Sequence, residues 1–270
     1  MSTNDRYAIR GGIEGRARLT LLTRIFAGST GKLLDAAGIA PGAQCLDAGC
    51  GGGDVTRELA RRAGPGGKVV GIDMDKDKLA IAIREAAAEG LAIEYRNADV
   101  MTPLPEPYDV VYMRFLLSHV RDPAAVVSNA REALRPGGTV IVEDVDFSGH
   151  FSHPESAAIA RYVDIYSTVV RGRGGDPDIG RKLPGFLASA GFEDLHIEVL
   201  NPAATNDRLK LLTPVTMEAI TPAAVADGIV TREQARDLVE ALYAEARDPA
   251  VLTSLPRIVQ CWARRPAADI

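Results

Sequence analysis

Residues 43–54 read AQCLDAGCGGGD, a short apolar strand that runs straight into a glycine-rich turn, with a helix expected from near Val55. Glycines at 49, 51 and 53 let the main chain turn tightly and bring its amides against a ligand. A glycine-rich stretch alone says little, but one set between a strand and a helix marks a nucleotide-cradling turn far more specifically. The unit also restricts topology, because a strand that leaves through a helix returns parallel to itself.

The remainder of the chain repeats that rhythm. A second apolar strand, 68–72, follows the breakers Gly64, Pro65, Gly66 and Gly67 and ends at Asp73. An alanine-rich helix is expected over 76–90, stopped by Gly90, with strand-like stretches at 91–95, 108–113 and 138–143. Asp122 is placed to cap a helix with Pro123 in its first turn, ended by Pro136–Gly137–Gly138. Strands alternating with helices predict an α/β fold with a mainly parallel sheet covered on both faces. Upstream, apolar positions from Ile13 to Leu34 predict one or two amphipathic helices, interrupted near Gly28–Gly31. Downstream, helices are expected over 154–171, 179–190 and 231–247, and strands over 192–200 and 255–263. The expected organisation is a helical cap segment over 1–40 and a larger domain over 41–270. That domain carries helical additions around 148–177 and 201–250, sized for a lid around a compact molecule.

Composition narrows the class. With 46% hydrophobic and 25% charged residues, neither a disordered chain nor a collagen-like fibre is expected. Asp plus Glu number 36 against 31 for Lys plus Arg, and a net charge of -5 argues against nucleic-acid binding by phosphate neutralisation. There is no run of 18 apolar residues, and the opening MSTNDRYAIR has no apolar targeting core, so no membrane partner is expected. Cys45, Cys50 and Cys261 have neither disulfide nor metal-ligand spacing, which favours a reducing, cytoplasmic setting and no metal.

Three acids follow the first three strands. A nicotinamide-dinucleotide turn usually has a close-packing glycine where this chain has Asp54. Asp47, beside the turn, would repel a pyrophosphate but suits a ligand end carrying ammonium or sulfonium. Asp73 is placed to accept hydrogen bonds from two ribose hydroxyls. Asp99 is placed to accept from an adenine amino group, with Met74 and Val100 as apolar contacts to the ring.

The series LDAGCGGG, VVGIDMD, NAD, YDVVYMRFLLSHVRDP and LRPGG resembles the class I S-adenosylmethionine-dependent methyltransferases over roughly residues 41–145. The resemblance implies a Rossmann-like, doubly wound, seven-stranded, mostly parallel sheet with an N-terminal helical segment and helical cap insertions. It implies S-adenosylmethionine as cofactor and S-adenosylhomocysteine as product. By resemblance, Asp47 and the turn of Gly49, Cys50, Gly51 and Gly53 hold the methionine end. Asp73 binds ribose, Met74 flanks adenine, Asp99 and Val100 close the base pocket, and Met113–Leu117 line the cofactor channel. The opening YAIRGGIEGRARL is similar to a segment of one small-molecule branch, which implies Tyr7 and Arg18 near the cofactor carboxylate. Arg10–Gly11–Gly12 is a less regular version of that segment.

Methyl transfer requires a nucleophile in line behind the methyl, so alignment and desolvation carry much of the catalysis, and a base is needed only to remove a proton. His119, just after the fourth strand, is the leading base candidate, and Arg114 is a candidate for orienting an anionic substrate. After the fifth strand come Glu143, Asp144, Val145, Asp146 and Phe147, then His150 and His153. Alternation sends Asp144 and Asp146 to one side, and Asp146 is a candidate for positioning a cationic or hydroxylated substrate. Tyr112, Phe115, Phe147, Phe151, Tyr162 and Tyr166 are expected around the mouth, the last two sharing a helix face. The reading is methyl transfer to a small organic acceptor, an aromatic or polycyclic secondary metabolite, with O-methylation favoured. The alternatives are a peptide or protein methyltransferase, and a cofactor-binding scaffold or non-methylating enzyme on the same fold. Self-association as a homodimer is compatible with each.

Overall fold

The structure is a computed structural model that describes residues 12–103 and 106–267, with side chains from Arg18 onward. It begins with α1 (Gly12–Ala37), β1 (Gln44–Ala48), α2 (Asp54–Ala63), β2 (Lys68–Asp73), α3 (Lys76–Ala88), β3 (Ile93–Asn97) and β4 (Tyr108–Arg114). There follow α4 (Pro123–Ala133), β5 (Leu134–Asp146), β6 (Ser152–His153), α5 (Ala157–Gly172), α6 (Leu183–Ser189), β7 (Glu193–Leu200) and β8 (Ala203–Ala204). The chain ends with α7 (Leu212–Ala226), α8 (Arg232–Arg247), β9 (Leu252–Ser254) and β10 (Arg257–Arg264). Seven strands form one sheet in the order β3-β2-β1-β4-β5-β10-β7. The first five are parallel, and β10 runs antiparallel between β5 and β7. This is the expected doubly wound α/β architecture. The order reverses between β1 and β4, which opens a crevice at their carboxyl ends.

Alternation along the strands builds the two faces. Leu46, Val70, Val111, Met113, Val140 and Val142 point to one side, against Val126 and Val127 of α4 and Leu183 and Leu187 of α6. Cys45, Val69, Val110, Tyr112 and Ile141 point to the other, against Leu33 and Leu34 of α1 and Val55 and Leu59 of α2. A further apolar cluster joins Leu22 and Phe26 of α1 to α5, α7 and α8. These helices form a cap over the carboxyl ends of the strands. Beneath it lies a three-stranded antiparallel ribbon, β6-β9-β8, whose strands are too short to leave a periodic signal in the sequence.

Two local expectations are corrected. Helix α1 is continuous through Gly28 and Gly31. Each interior glycine costs about 1 kcal/mol, while burying Leu22, Phe26, Leu33 and Leu34 contributes about 1.5–3 kcal/mol apiece. Arg62 also donates to the Gly31 carbonyl at 3.1 Å and pairs with Asp35 at 2.8 Å, tying the glycine turn to α2. The second correction concerns Pro136–Gly137–Gly138, which lies within β5 as an irregularity. Helix α4 has already ended at Ala133. Its start is as expected, with the Asp122 carboxylate accepting from the Ala125 amide at 2.9 Å.

Buried Lys210 anchors the cap. Its ammonium donates to the carbonyls of Thr205 (3.0 Å), Asp248 (2.6 Å) and Val251 (2.8 Å), pinning the exit of α8 to the entry of α7. Lys210→Met keeps the apolar stem and strands three carbonyls. The expected loss is about 3 kcal/mol, read as a lower urea midpoint at unchanged m-value.

Candidate active site

The glycine turn is fastened to the neighbouring strand by its own amides. Gly49 and Cys50 both donate to the Ile72 carbonyl at 2.9 Å. Gly51 donates to Asp73 Oδ2 at 2.9 Å, while Asp73 Oδ1 accepts from the Asp75 amide at 2.8 Å. A carboxylate bound once at each oxygen still has lone pairs free for two hydroxyls. The glycines differ in purpose. A Cβ on Gly53, at φ 76°, would overlap the Tyr95 hydroxyl, so this position is closed by packing. Gly51 is also left-handed, at φ 54°, but a Cβ there meets nothing within 4 Å among the described residues, so its face is open to them.

Asp47 is buried at the end of β1 and accepts a 2.6 Å hydrogen bond from Thr56 Oγ1, on the first turn of α2. Burial raises its carboxyl to about 6, against the opposing effects of Thr56 and Arg114 and with reinforcement from Asp73. Arg114, at the end of β4, stands in the field of Glu143 and Asp47. Glu143 is itself buried among Thr30 of α1, Tyr112 of β4 and Gln260 of β10, so this carboxylate locks α1 onto the centre of the sheet. A cavity of about 130 Å³ runs past Asp47, Gly49–Gly52, Asp73, Arg114, Phe115 and His119.

A second, smaller chamber of about 40 Å³ lies under the cap, walled by Phe26, Phe115, Phe147, Tyr162 and Tyr166. Arg18, Leu22, Phe115 and His119 line both cavities and form the junction between them. Phe115 turns through φ 50°, a conformation costly for a non-glycine residue. Its amide donates to the Glu143 carbonyl at 2.8 Å, and its ring meets Phe26 edge-on at 5.7 Å between centroids. The strain places the ring between the two spaces. His119 closes a 3-10 turn, Leu117–His119, held from below by Asp144, whose Oδ2 accepts from the Ser118 amide at 3.1 Å. Burial, then the charges of Arg18 and Lys78, lowers the His119 imidazole to about 4. It is therefore neutral at pH 7. Arg18 donates from Nε to Thr216 Oγ1 at 3.1 Å, linking α1 to α7 at the junction.

The structure gathers Arg18, Asp47, Gly49, Cys50, Gly51, Asp73, Arg114 and His119 around the larger cavity, while Gly53 packs behind the turn. Met74, Asp99 and Val100 lie outside its lining. Asp99 instead accepts from the Met101 amide at 2.9 Å, and the Met74 and Val100 carbonyls accept from Asn97 and Asn129. Met113 is fully buried in the sheet core, so the channel segment begins at Arg114. Asp146 lines neither cavity. Its carboxylate is held by Arg181 (Nη2 at 2.5 Å, Nε at 3.1 Å) and by Arg257 at 3.2 Å, a brace between β5, β10 and the loop before α6. Tyr7 lies outside the described residues. Sequence reasoning missed Thr56, Lys78 and Leu22. Thr56 had one available signal, a hydroxyl in the first turn of the helix that follows the Asp47 strand.

These groups suit S-adenosylmethionine. Asp47 offers buried negative charge to a cationic amino acid end, the open face of Gly51 offers room beside amides, and Asp73 offers acceptors to a diol. A family model described as a methyltransferase domain matches residues 39–171. A ubiquinone biosynthesis O-methyltransferase of Aeromonas salmonicida (strain A449) is 37% identical over 108 residues, 39% of this chain and 44% of that protein. The chain spans about half the length of the curated relatives it matches. Among solved structures, the YcgJ protein of Bacillus subtilis has a TM-score of 0.61 at 13% identity, covering 90% of this chain and 100% of that one. The [4+2]-cyclase SpnF has a TM-score of 0.56 at 22% identity, covering 88% and 80%. Both are likenesses of fold. Through residues 39–171, the chain belongs to the class I S-adenosylmethionine-dependent methyltransferase family.

Proposed function

We propose that the protein transfers a methyl group from S-adenosylmethionine to a small organic acceptor. One observation carries this reading: a cavity lined by the glycine turn and its acids meets an aromatic chamber at a single junction, at Phe115 and His119. Bound in the larger cavity, the cofactor supplies an electrophilic methyl on sulfonium. Asp47 holds the cationic amino acid end, Asp73 the ribose, and Arg114 a carboxylate. Phe115 and Leu22 flank the junction, where apolar surface replaces the water that a nucleophile must shed before it attacks. His119, neutral and weakly basic, accepts a hydrogen bond from the attacking O–H or N–H and orients its lone pair. It takes the proton as positive charge develops on that atom. The aromatic walls of the chamber favour a small, ring-bearing acceptor over a peptide. O-methylation remains the preferred chemistry, in keeping with the O-methyltransferases among the curated relatives.

The direct test is transfer of labelled methyl from S-adenosylmethionine to a panel of phenols and small amines, with label in an extractable product as the expected result. Label only in solvent, or none, would favour a non-methylating role on this fold.

Asp47 links binding to pH. With its carboxyl at about 6, the charged fraction falls roughly tenfold between pH 7 and pH 5. S-adenosylhomocysteine affinity is expected to fall by about the same factor over that range, and Asp47→Asn to bind weakly and without this pH dependence. The sign for stability is opposite. The folded-state value lies above the ordinary aspartate value of 3.8, so the charged, cofactor-free protein gives up on the order of 3 kcal/mol at pH 7, regained as pH falls from 6 to 4. Asp47→Asn should therefore raise the melting temperature of cofactor-free protein at pH 7.

His119→Gln is expected to lower kcat by about 10²-fold with S-adenosylhomocysteine affinity unchanged within about twofold. In the wild type, kcat at saturating cofactor should hold down to about pH 5, because the imidazole titrates at about 4. A decline centred near pH 6.5 would contradict this placement.

A further inference from the structure

The aromatic chamber contains polar atoms that no group among the described residues satisfies. Both ring nitrogens of His150 are buried without a hydrogen-bond partner, and so is Thr213 Oγ1. Both residues line the chamber, His150 from the loop between β5 and β6 and Thr213 from the start of α7. The His150 ring stands edge-on to Tyr162 at 5.7 Å and tilted against Phe147 at 5.4 Å, so aromatic rings pack against it. The Ser254 backbone acts on the ring from one side, yet neither nitrogen reaches it in hydrogen-bonding geometry. Burial lowers the imidazole to about 4, so at pH 7 it offers one donor and one acceptor. Buried polar groups are nearly always hydrogen-bonded, so two unpaired groups lining the same cavity call for a partner there.

We propose that His150, with Thr213, forms an acceptor-recognition subsite that binds a neutral hydroxyl on the end of the acceptor remote from the methylated atom. This deepens the methyltransfer reading and rests on it. A neutral imidazole is matched to a hydroxyl, which both donates and accepts, and poorly matched to a methyl or hydrogen at the same place. The chamber takes the substituted edge of a ring, while the junction at Phe115 and His119 takes the reacting edge. His150 is therefore a specificity-determining residue and His119 the group at the reacting atom. Asp144, buried behind the 3-10 turn of His119, is engaged by the amides of Ser118 and Val145 and leaves this role to His150.

The test uses the full chain saturated with S-adenosylhomocysteine and two probes, hydroquinone and 4-methylphenol, with affinities from NMR titration and the His150 ring nitrogens observed by labelling. The wild type is expected to bind hydroquinone at least tenfold more tightly than 4-methylphenol, with the His150 nitrogen resonances shifting on hydroquinone addition. His150→Phe is expected to lose that preference, and His150→Gln to keep part of it, with S-adenosylhomocysteine affinity unchanged in both. Equal binding of the two probes by the wild type, binding of neither, or an undiminished preference in a folded His150→Phe overturns the subsite. Failure of the wild type to bind S-adenosylhomocysteine overturns the methyltransfer reading itself, so the two failures are distinguishable.

Discussion

Three consecutive amides, those of Gly49, Cys50 and Gly51, donate into the end of β2, the last of them to the Asp73 carboxylate. Everything at the larger cavity is placed by this fastening. It sets the turn across the carboxyl ends of β1 and β2 and starts α2 at Asp54. That start brings Thr56 onto Asp47 and leaves the face of Gly51 open. The acid that fastens the turn also has capacity left for a ribose, so one carboxylate serves both the fold and the ligand.

The cost of this arrangement falls on Asp47. A carboxylate buried at a strand end with one hydroxyl partner is kept near 6 by its surroundings, and an incoming cation relieves it. Strain at Phe115 has the same character. A left-handed backbone at a bulky residue is unfavourable, and it turns an aromatic ring into the junction between two cavities. Local structure is thus held away from its optimum at the two points where ligand chemistry is expected, as functional sites commonly require. The cap supplies the opposing rigidity. Glu143 locks α1 to the sheet, Arg18 reaches from α1 to α7, and Lys210 closes the far end of the helical layer.

Much of this was legible in the sequence because the signals are local. The strand, turn and helix at 43–54, the Asp122 cap and the alternating faces of β1, β2 and β4 each depend on residues a few positions apart. So do the positions of Asp47 and Asp73. The readings that moved depend on distant partners. Asp146 had the right residue type at a strand end, but Arg181 and Arg257, far along the chain, commit it to a brace. Met113 precedes the channel segment, yet strand alternation turns it into the core. The glycines of α1 predicted a break that tertiary burial prevents. The pairing of His119 with a chamber lined by His150 and Thr213 arises from α7 folding back over the sheet, a contact that no local periodicity encodes.

The central claim is that one bound cofactor directs its sulfur toward the junction of the two cavities, and a crystal structure with S-adenosylhomocysteine tests it most directly. The account predicts ribose hydroxyls within hydrogen-bonding distance of Asp73, the amino group facing Asp47, and the thioether sulfur pointing past Phe115 toward His119. A ligand bound elsewhere, or one whose sulfur turns away from that junction, would contradict it.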